Sequence, residues 1–182
     1  METPRTIELE LVRRCQRGEP DAFDGLYDRF GDVVWRLCYR MAGNSDDAQD
    51  LAQEVWLTVW QKIGSFRCES AFATWVYRVA SNVCLQWLRK SRRRETFPID
   101  DIPLVSPTRL ESEVADREYL NRLLVAIEDL PEPLRLALVL RVEHELDYGE
   151  IAEALDCTTA AVKMRVSRAR AMLAQSVREE AI

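Results

Sequence analysis

The sequence predicts an all-α protein made of two small helical domains joined by an acidic linker. Three observations carry that reading. Apolar residues recur at steps of three and four along most of the chain, the period of a helix with one buried face. No stretch shows the apolar–polar alternation of a strand. The periodicity fails between residues 96 and 114, where Pro98, Pro103 and Pro107 stand. The length, 182 residues, accommodates one large domain or two small ones. With 47% hydrophobic and 31% charged residues, the chain can bury a core and is not disordered by composition. Six glycines and seven prolines are too few for a turn-rich β-sandwich.

The elements follow in order. Residues 7–17 form a short amphipathic helix with Leu9, Leu11 and Val12, broken by Gly18, Glu19 and Pro20. Residues 21–42 place Phe23, Leu26, Tyr27, Phe30, Val34, Leu37, Cys38 and Met41 on one face, and Gly43 ends that helix. Ser45 is the expected N-cap of the next helix, with Asp46 and Asp47 in its first turn, and it runs to about Ile63. Ser70 is the expected cap of a long helix reaching about Arg93, with Phe72, Trp75, Val76, Val79, Ala80, Val83 and Trp87 inward. Residues 116–129 and 134–143 form two more helices separated by Leu130-Pro131-Glu132-Pro133. A short helix from Gly149 to Leu155 and a last one from about Ala160 complete the chain. The expected division is therefore 1–94, a linker at 95–115, and 116–182. From Glu95 to Glu118 seven acids face two bases, and the 19 residues 96–114 span at most roughly 60 Å.

Charge narrows the function. Lys+Arg 25 against Asp+Glu 31 gives a net charge of −6, a poor balance for holding bare DNA unaided, so the placement of the cations decides. Between Ala71 and Arg94 there is no acid, and six bases: Arg78, Arg89, Lys90, Arg92, Arg93 and Arg94. Thr74, Arg78, Asn82, Gln86, Arg89 and Arg93 share one helix face, offering cations to phosphates and amides to base edges. Phe66, Trp75, Tyr77 and Trp87 lie in or beside this segment, and rings interleaved with bases suit unpaired nucleobases. Trp75 and Trp87 are expected in the core. The helix at 46–63 has the opposite sign, with Asp46, Asp50, Gln53, Glu54 and Gln61 on its polar side. That face suits either solvent or a protein partner.

The second half holds the clearest local motif. A short helix, Tyr148–Leu155, a turn at Asp156-Cys157-Thr158 and a basic helix capped by Thr159 form a helix-turn-helix. Val162, Val166, Ala169 and Leu173 point inward, while Lys163, Arg165, Ser167, Arg168 and Arg170 lie on other faces. Such a second helix enters the major groove.

Taken together, AFDGLYDRF, DDAQDLAQEVWLTVWQKIGSFR, SAFATWVYRVASNVCLQWLRKSRRR and LPEPLRLALVLRVEHELDYGEIAEALDCTTAAVKMRVSRARAML resemble the extracytoplasmic-function (ECF) group of bacterial RNA polymerase sigma factors. The resemblance covers about 7–94 and 116–175. It implies a sigma-2-like first half that docks on the clamp helices of the polymerase largest subunit through Asp50, Gln53, Glu54 and Trp56. It implies that the long basic helix and the loop before it read and melt the −10 element. A flipped base would sit near Phe66 and Asn82, with Arg78, Arg89 and Arg92 on the backbone. The sigma-4-like second half would bind the −35 element through Lys163, Met164, Ser167 and Arg168, with Arg165 and Arg170 on phosphates, and dock on the flap of the second-largest subunit. The acidic linker would thread toward the active-site cleft. Three positions depart from the pattern: Met164, where a small polar residue is common, and Asp156 and Cys68, where glycine is common. Asp tolerates left-handed backbone, so the turn should hold.

Partners implied by the resemblance are core RNA polymerase, promoter DNA and an anti-sigma factor. No cofactor, metal site or catalytic residue is expected. His144 is the single histidine and reads as a surface residue, and no P-loop or nucleophile motif is present. Five scattered cysteines without C-x-x-C spacing read as reduced thiols. The start METPRTIELE has no apolar signal core, so a cytoplasmic protein is expected. Two other classes compete: a stand-alone dimeric helix-turn-helix regulator, which leaves the basic face at 71–94 unexplained, and a nucleic-acid enzyme.

Overall fold

The computed structural model describes residues 4–94 and 123–179, with side chains from 6 to 91 and from 123 to 176. The predicted linker lies outside the described residues, and so does the first part of the helix expected at 116–129. Every regular element among the described residues is helical. No helix among them is long and apolar enough to cross a membrane.

Helix α1 spans Pro4–Gln16. It stops at Gly18, whose φ of 83° is left-handed backbone that glycine adopts without strain. Helix α2, Pro20–Ala42, starts with proline in its first turn and buries Ala22, Leu26, Phe30, Val34, Leu37, Cys38 and Met41. Gly43, at φ 82°, closes it as expected by donating its N–H to Tyr39 O. Helix α3, Ser45–Lys62, is capped by Asn44 rather than Ser45, because the Asn44 side chain accepts from Asp47 N. It tightens into a 3₁₀ turn at Ile63–Ser65. Helix α4 runs from Phe72 to Arg94, about 35 Å at 1.5 Å per residue. Ser70 does not take the capping role assigned to it; its hydroxyl donates to Ala71 O.

Helices α2, α3 and α4 pack on one another, and α1 lies against α2. Leu26, Leu37, Met41, Leu51, Val55, Phe72 and Val76 are buried at their centre. The second unit begins with a helical segment at 123–128, α5. It continues through α6 (Glu132–Val142), α7 (Tyr148–Ala154) and α8 (Thr159–Glu179). Leu136, Leu140, Ile151, Val162, Val166 and Ala169 form its core, where α6 and α7 both rest on α8. The two units touch: α7 and α6 lie against α4, and α6 also meets α2.

Candidate nucleic-acid interface

The loop between α3 and α4 frames a cleft of about 240 Å³ lined by Ser65, Phe66, Arg67, Glu69, Ser70, Trp75 and Arg78. Phe66 is only 7% exposed, with its ring 5.5 Å from Phe72 and 5.3 Å from Trp75. It therefore forms the floor of the cleft rather than an open platform. Cys68, at the middle of the loop, has φ 59°, left-handed backbone at a non-glycine residue. Arg78 is half-buried and donates through Nε and Nη2 to Glu153 O, at 3.3 and 2.9 Å. Asn82 is exposed one turn farther along and does not line the cleft. Gln86 and Arg89 continue the exposed polar face, while Thr74 at its start is buried. Arg92 lies outside the described side chains. Trp75 and Trp87 are partly buried against the core, as expected.

On α3, Asp50, Gln53 and Glu54 stand exposed on one face, continued by Leu57 at the i+3 position. Trp56 is not on that face. At 7% exposure it packs inward, 5.7 Å from Phe23 at a right angle and 5.0 Å from Tyr27. Trp60, 45% exposed, meets the same Phe23 ring at 4.9 Å. The acidic row thus borders an aromatic ridge of Tyr27 and Trp60.

The helix-turn-helix takes the expected form. Asp147 and Glu150 form a reciprocal capping box at the start of α7. Asp156 turns the chain with φ 48°, the left-handed geometry read for it. The cap of α8 is Thr158, one residue before the predicted Thr159: its Oγ1 accepts from Ala161 N at 3.2 Å. Lys163, Met164, Ser167 and Arg168 are exposed together on α8, and Arg170 is exposed beside them. Arg165 is half-buried, its Nη1 3.7 Å from Cys157 Sγ. Arg141 sits 5.0 Å from the Tyr148 ring centre and Lys163 Nζ 5.8 Å from it, so the ring gathers cations at the edge of this surface.

Several residues with no such role legible in the sequence join the two units. Arg40 Nε donates to Glu143 at 2.6 Å. Arg135, buried, donates to Met41 O at 3.2 Å and also to Glu128 O. His144 is not the surface residue expected: its Nδ1 is 3.1 Å from the Tyr77 hydroxyl and its Nε2 is buried without a hydrogen-bond partner. Burial pushes its pKa down and that of Tyr77 up to about 12. The only available signal was a lone histidine among acids, which has no periodicity to place it. Gln16 was also missed. Its amide donates to Ile63 O at 3.0 Å and to Phe66 O at 2.9 Å, across the root of the cleft loop. Cys38 and Cys84 are both fully buried, and the hydrogen bond that the Cys84 thiol gives to Cys38, together with burial, holds that thiol well above its usual pKa. Among the described residues no group of His, Cys, Asp and Glu is placed to hold a metal ion.

Comparison with known proteins gives the family of the chain. The Sigma-70 region 2 model matches residues 26–94, and the Sigma-70 region 4 model matches 120–173. The chain is 31% identical to the ECF RNA polymerase sigma factor SigW of Bacillus subtilis, over 92% of this chain and 95% of that protein. It is 37% identical to the ECF RNA polymerase sigma-E factor of Escherichia coli K12, over 88% of each. Two solved structures share the fold at 22% identity. One is CnrH in complex with the cytosolic domain of CnrY, with TM-score 0.69 over 93% of this chain and 96% of that one. The other is the sigma factor RpoE in complex with the anti-sigma factor NepR from Bartonella quintana, with TM-score 0.67 over 86% and 96%. The stand-alone regulator is not favoured by these matches. The chain belongs to the sigma-70 family and, within it, to the ECF sigma factors of RNA polymerase.

Proposed function

We propose that this sigma factor directs core RNA polymerase to its promoters by dividing the work among three faces. Residues 1–94 bind polymerase and open the −10 element, residues 116–182 hold the −35 element, and 95–115 link them. The observation that carries this reading is the separation of charge. The acidic row Asp50–Gln53–Glu54 is exposed on α3, the amide and cationic face Asn82–Gln86–Arg89 on α4, and the cationic face Lys163–Ser167–Arg168 on α8. Like-charged phosphates avoid the first face, which leaves it to a protein, the clamp helices of the polymerase largest subunit. Leu57, Tyr27 and Trp60 supply the apolar area such a contact needs. A base turned out of the non-template strand enters the cleft floored by Phe66 and walled by Trp75, where stacking offsets the few kcal/mol that unstacking costs. Arg78 takes a strand phosphate in place of Glu153 O, while Arg89 and Arg92 follow the backbone. The net charge of −6 keeps the free chain weak on DNA, so promoter binding is completed on the polymerase. The protein acts as an initiation factor rather than an enzyme, in the cytoplasm with the polymerase. An anti-sigma factor restrains it, as the two solved relatives were captured with such partners or with a partner's cytosolic domain.

Two variants test the division. Glu54→Ala should weaken polymerase binding and leave −35 recognition by assembled holoenzyme unchanged. Arg168→Ala should lower promoter binding, by about tenfold for one lost base or phosphate contact, with polymerase affinity intact. Equal loss of both activities in either variant contradicts the assignment.

A further inference from the structure

The cleft loop starts from a turn that is held by a residue far earlier in the chain. Ile63–Ser65 closes on itself through Phe66 N donating to Ile63 O at 3.1 Å. The same Ile63 O and the Phe66 O then each accept one bond from the Gln16 amide, at 3.0 and 2.9 Å, across 47 and 50 residues of sequence. A side-chain amide has two N–H donors, and both are used here. Gln16 is itself a fixed arm. It ends α1, where Val12 and Cys15 are buried and where Gly18 N donates to Cys15 O at 2.9 Å. The turn behind it is tied by Arg14 and Arg17, both bonded to Glu19, at 2.7 and 3.0 Å. Beyond the turn, the loop passes through Cys68 in left-handed backbone before reaching α4. A loop carrying such a residue keeps one shape only when its ends are held. The far end is held by α4, where Trp75 N donates to Ala71 O at 3.2 Å. The near end is held by Gln16.

We propose that Gln16 is a positioning residue for base capture: its amide fixes the Ile63–Phe66 turn so that the cleft over Phe66 keeps the shape that receives an unstacked base. The proposal rests on the base-capture reading of that cleft. Gln16 does not touch the strand. It sets where the Phe66 ring and Arg67 stand, and so it governs discrimination among bases rather than attraction to DNA.

The test uses holoenzyme assembled from the full chain and core polymerase. A pool of single-stranded DNA with randomised positions is the probe, and the bound strands are sequenced. A second pool of duplex DNA reports −35 recognition. Wild type should enrich one base strongly at one single-stranded position. Gln16→Glu keeps the shape but has no donor, so both bonds are lost, and it should flatten that enrichment by at least about fivefold, the worth of one ordinary hydrogen bond. Its duplex selection should match wild type, and the lost bonds should lower its thermal midpoint by only a few degrees. Gln16→Lys retains a donor and should keep most of the discrimination. Unchanged enrichment in Gln16→Glu overturns the proposal. So does a parallel loss in both pools with a midpoint lowered by more than that, which would mark a merely structural residue. A wild-type holoenzyme with no single-position preference overturns the base-capture reading itself, and the role of Gln16 with it.

Discussion

His144 is the single histidine of the chain, and it is set against α4 with its Nδ1 on the Tyr77 hydroxyl. Burial lowers its pKa first; Glu143 opposes that, and Arg36 adds to it. A histidine depressed in the packed state binds its proton more weakly there than when the units part. Its contribution to packing is therefore complete above about 6.5, the ordinary histidine value, and is lost as pH falls through that value toward the depressed one. The buried Nε2 has no acceptor to receive a second proton's bond. Because the resonance is single, an NMR titration of the His144 C2 proton reads this directly. The midpoint should lie below the ordinary value in the intact chain and rise toward it in Tyr77→Ala. A midpoint at or above the ordinary value contradicts the packing described. Other residues divide by how local their physics is. Asp156 in left-handed backbone was legible, because few residue types tolerate that turn. Glu145, at φ 55°, was not, since nothing in its sequence neighbourhood demands such a conformation.

At the scale of elements, helix identities followed from apolar spacing, and the ends were misplaced by one to three residues. Asn44 and Ser45, and likewise Thr158 and Thr159, are adjacent pairs in which either member can cap. Asn44, in extended backbone at φ −142° and ψ 161°, takes the role in the first pair, and composition does not decide that. The contact role of Trp56 came from the family resemblance, although the helix spacing itself sets Trp56 among the apolar positions. Which rings it meets, Phe23 and Tyr27, depends on how α2 packs on α3, and a single helix pattern does not contain that. The docking of α6 on α2 was equally hidden, because Arg40 and Glu143 are 103 residues apart and form one isolated pair. That pair is partly exposed, 34% and 26%, so its worth is on the order of 1 kcal/mol. Arg40→Glu or Glu143→Arg should loosen the contact between the units and raise the radius of gyration seen by small-angle scattering. The double swap should restore it. Equal radii in all four proteins would contradict the docking.

Across the whole molecule, the informative quantity is where charge sits rather than its sum. A chain of net −6 gathers exposed cations on α4 and α8 and an acidic row on α3, and this partition was readable from the sequence as acid-free and acid-rich stretches. The cleft was only half readable. Phe66 was expected there and lines it, but Asn82 stands outside, and Gln16, which ties its root to α1, carries no periodic signal at all. Such long-range polar contacts are specified by tertiary packing, which sequence periodicity does not encode. On the proposed reading, the acidic and aromatic face of α3 delivers this chain to polymerase. Mixing the purified chain with sigma-free core RNA polymerase and running size exclusion tests it most directly. Stoichiometric co-elution, reduced by Glu54→Ala, is the predicted result. A folded chain that elutes apart from the polymerase, with no inhibitor present, would contradict it.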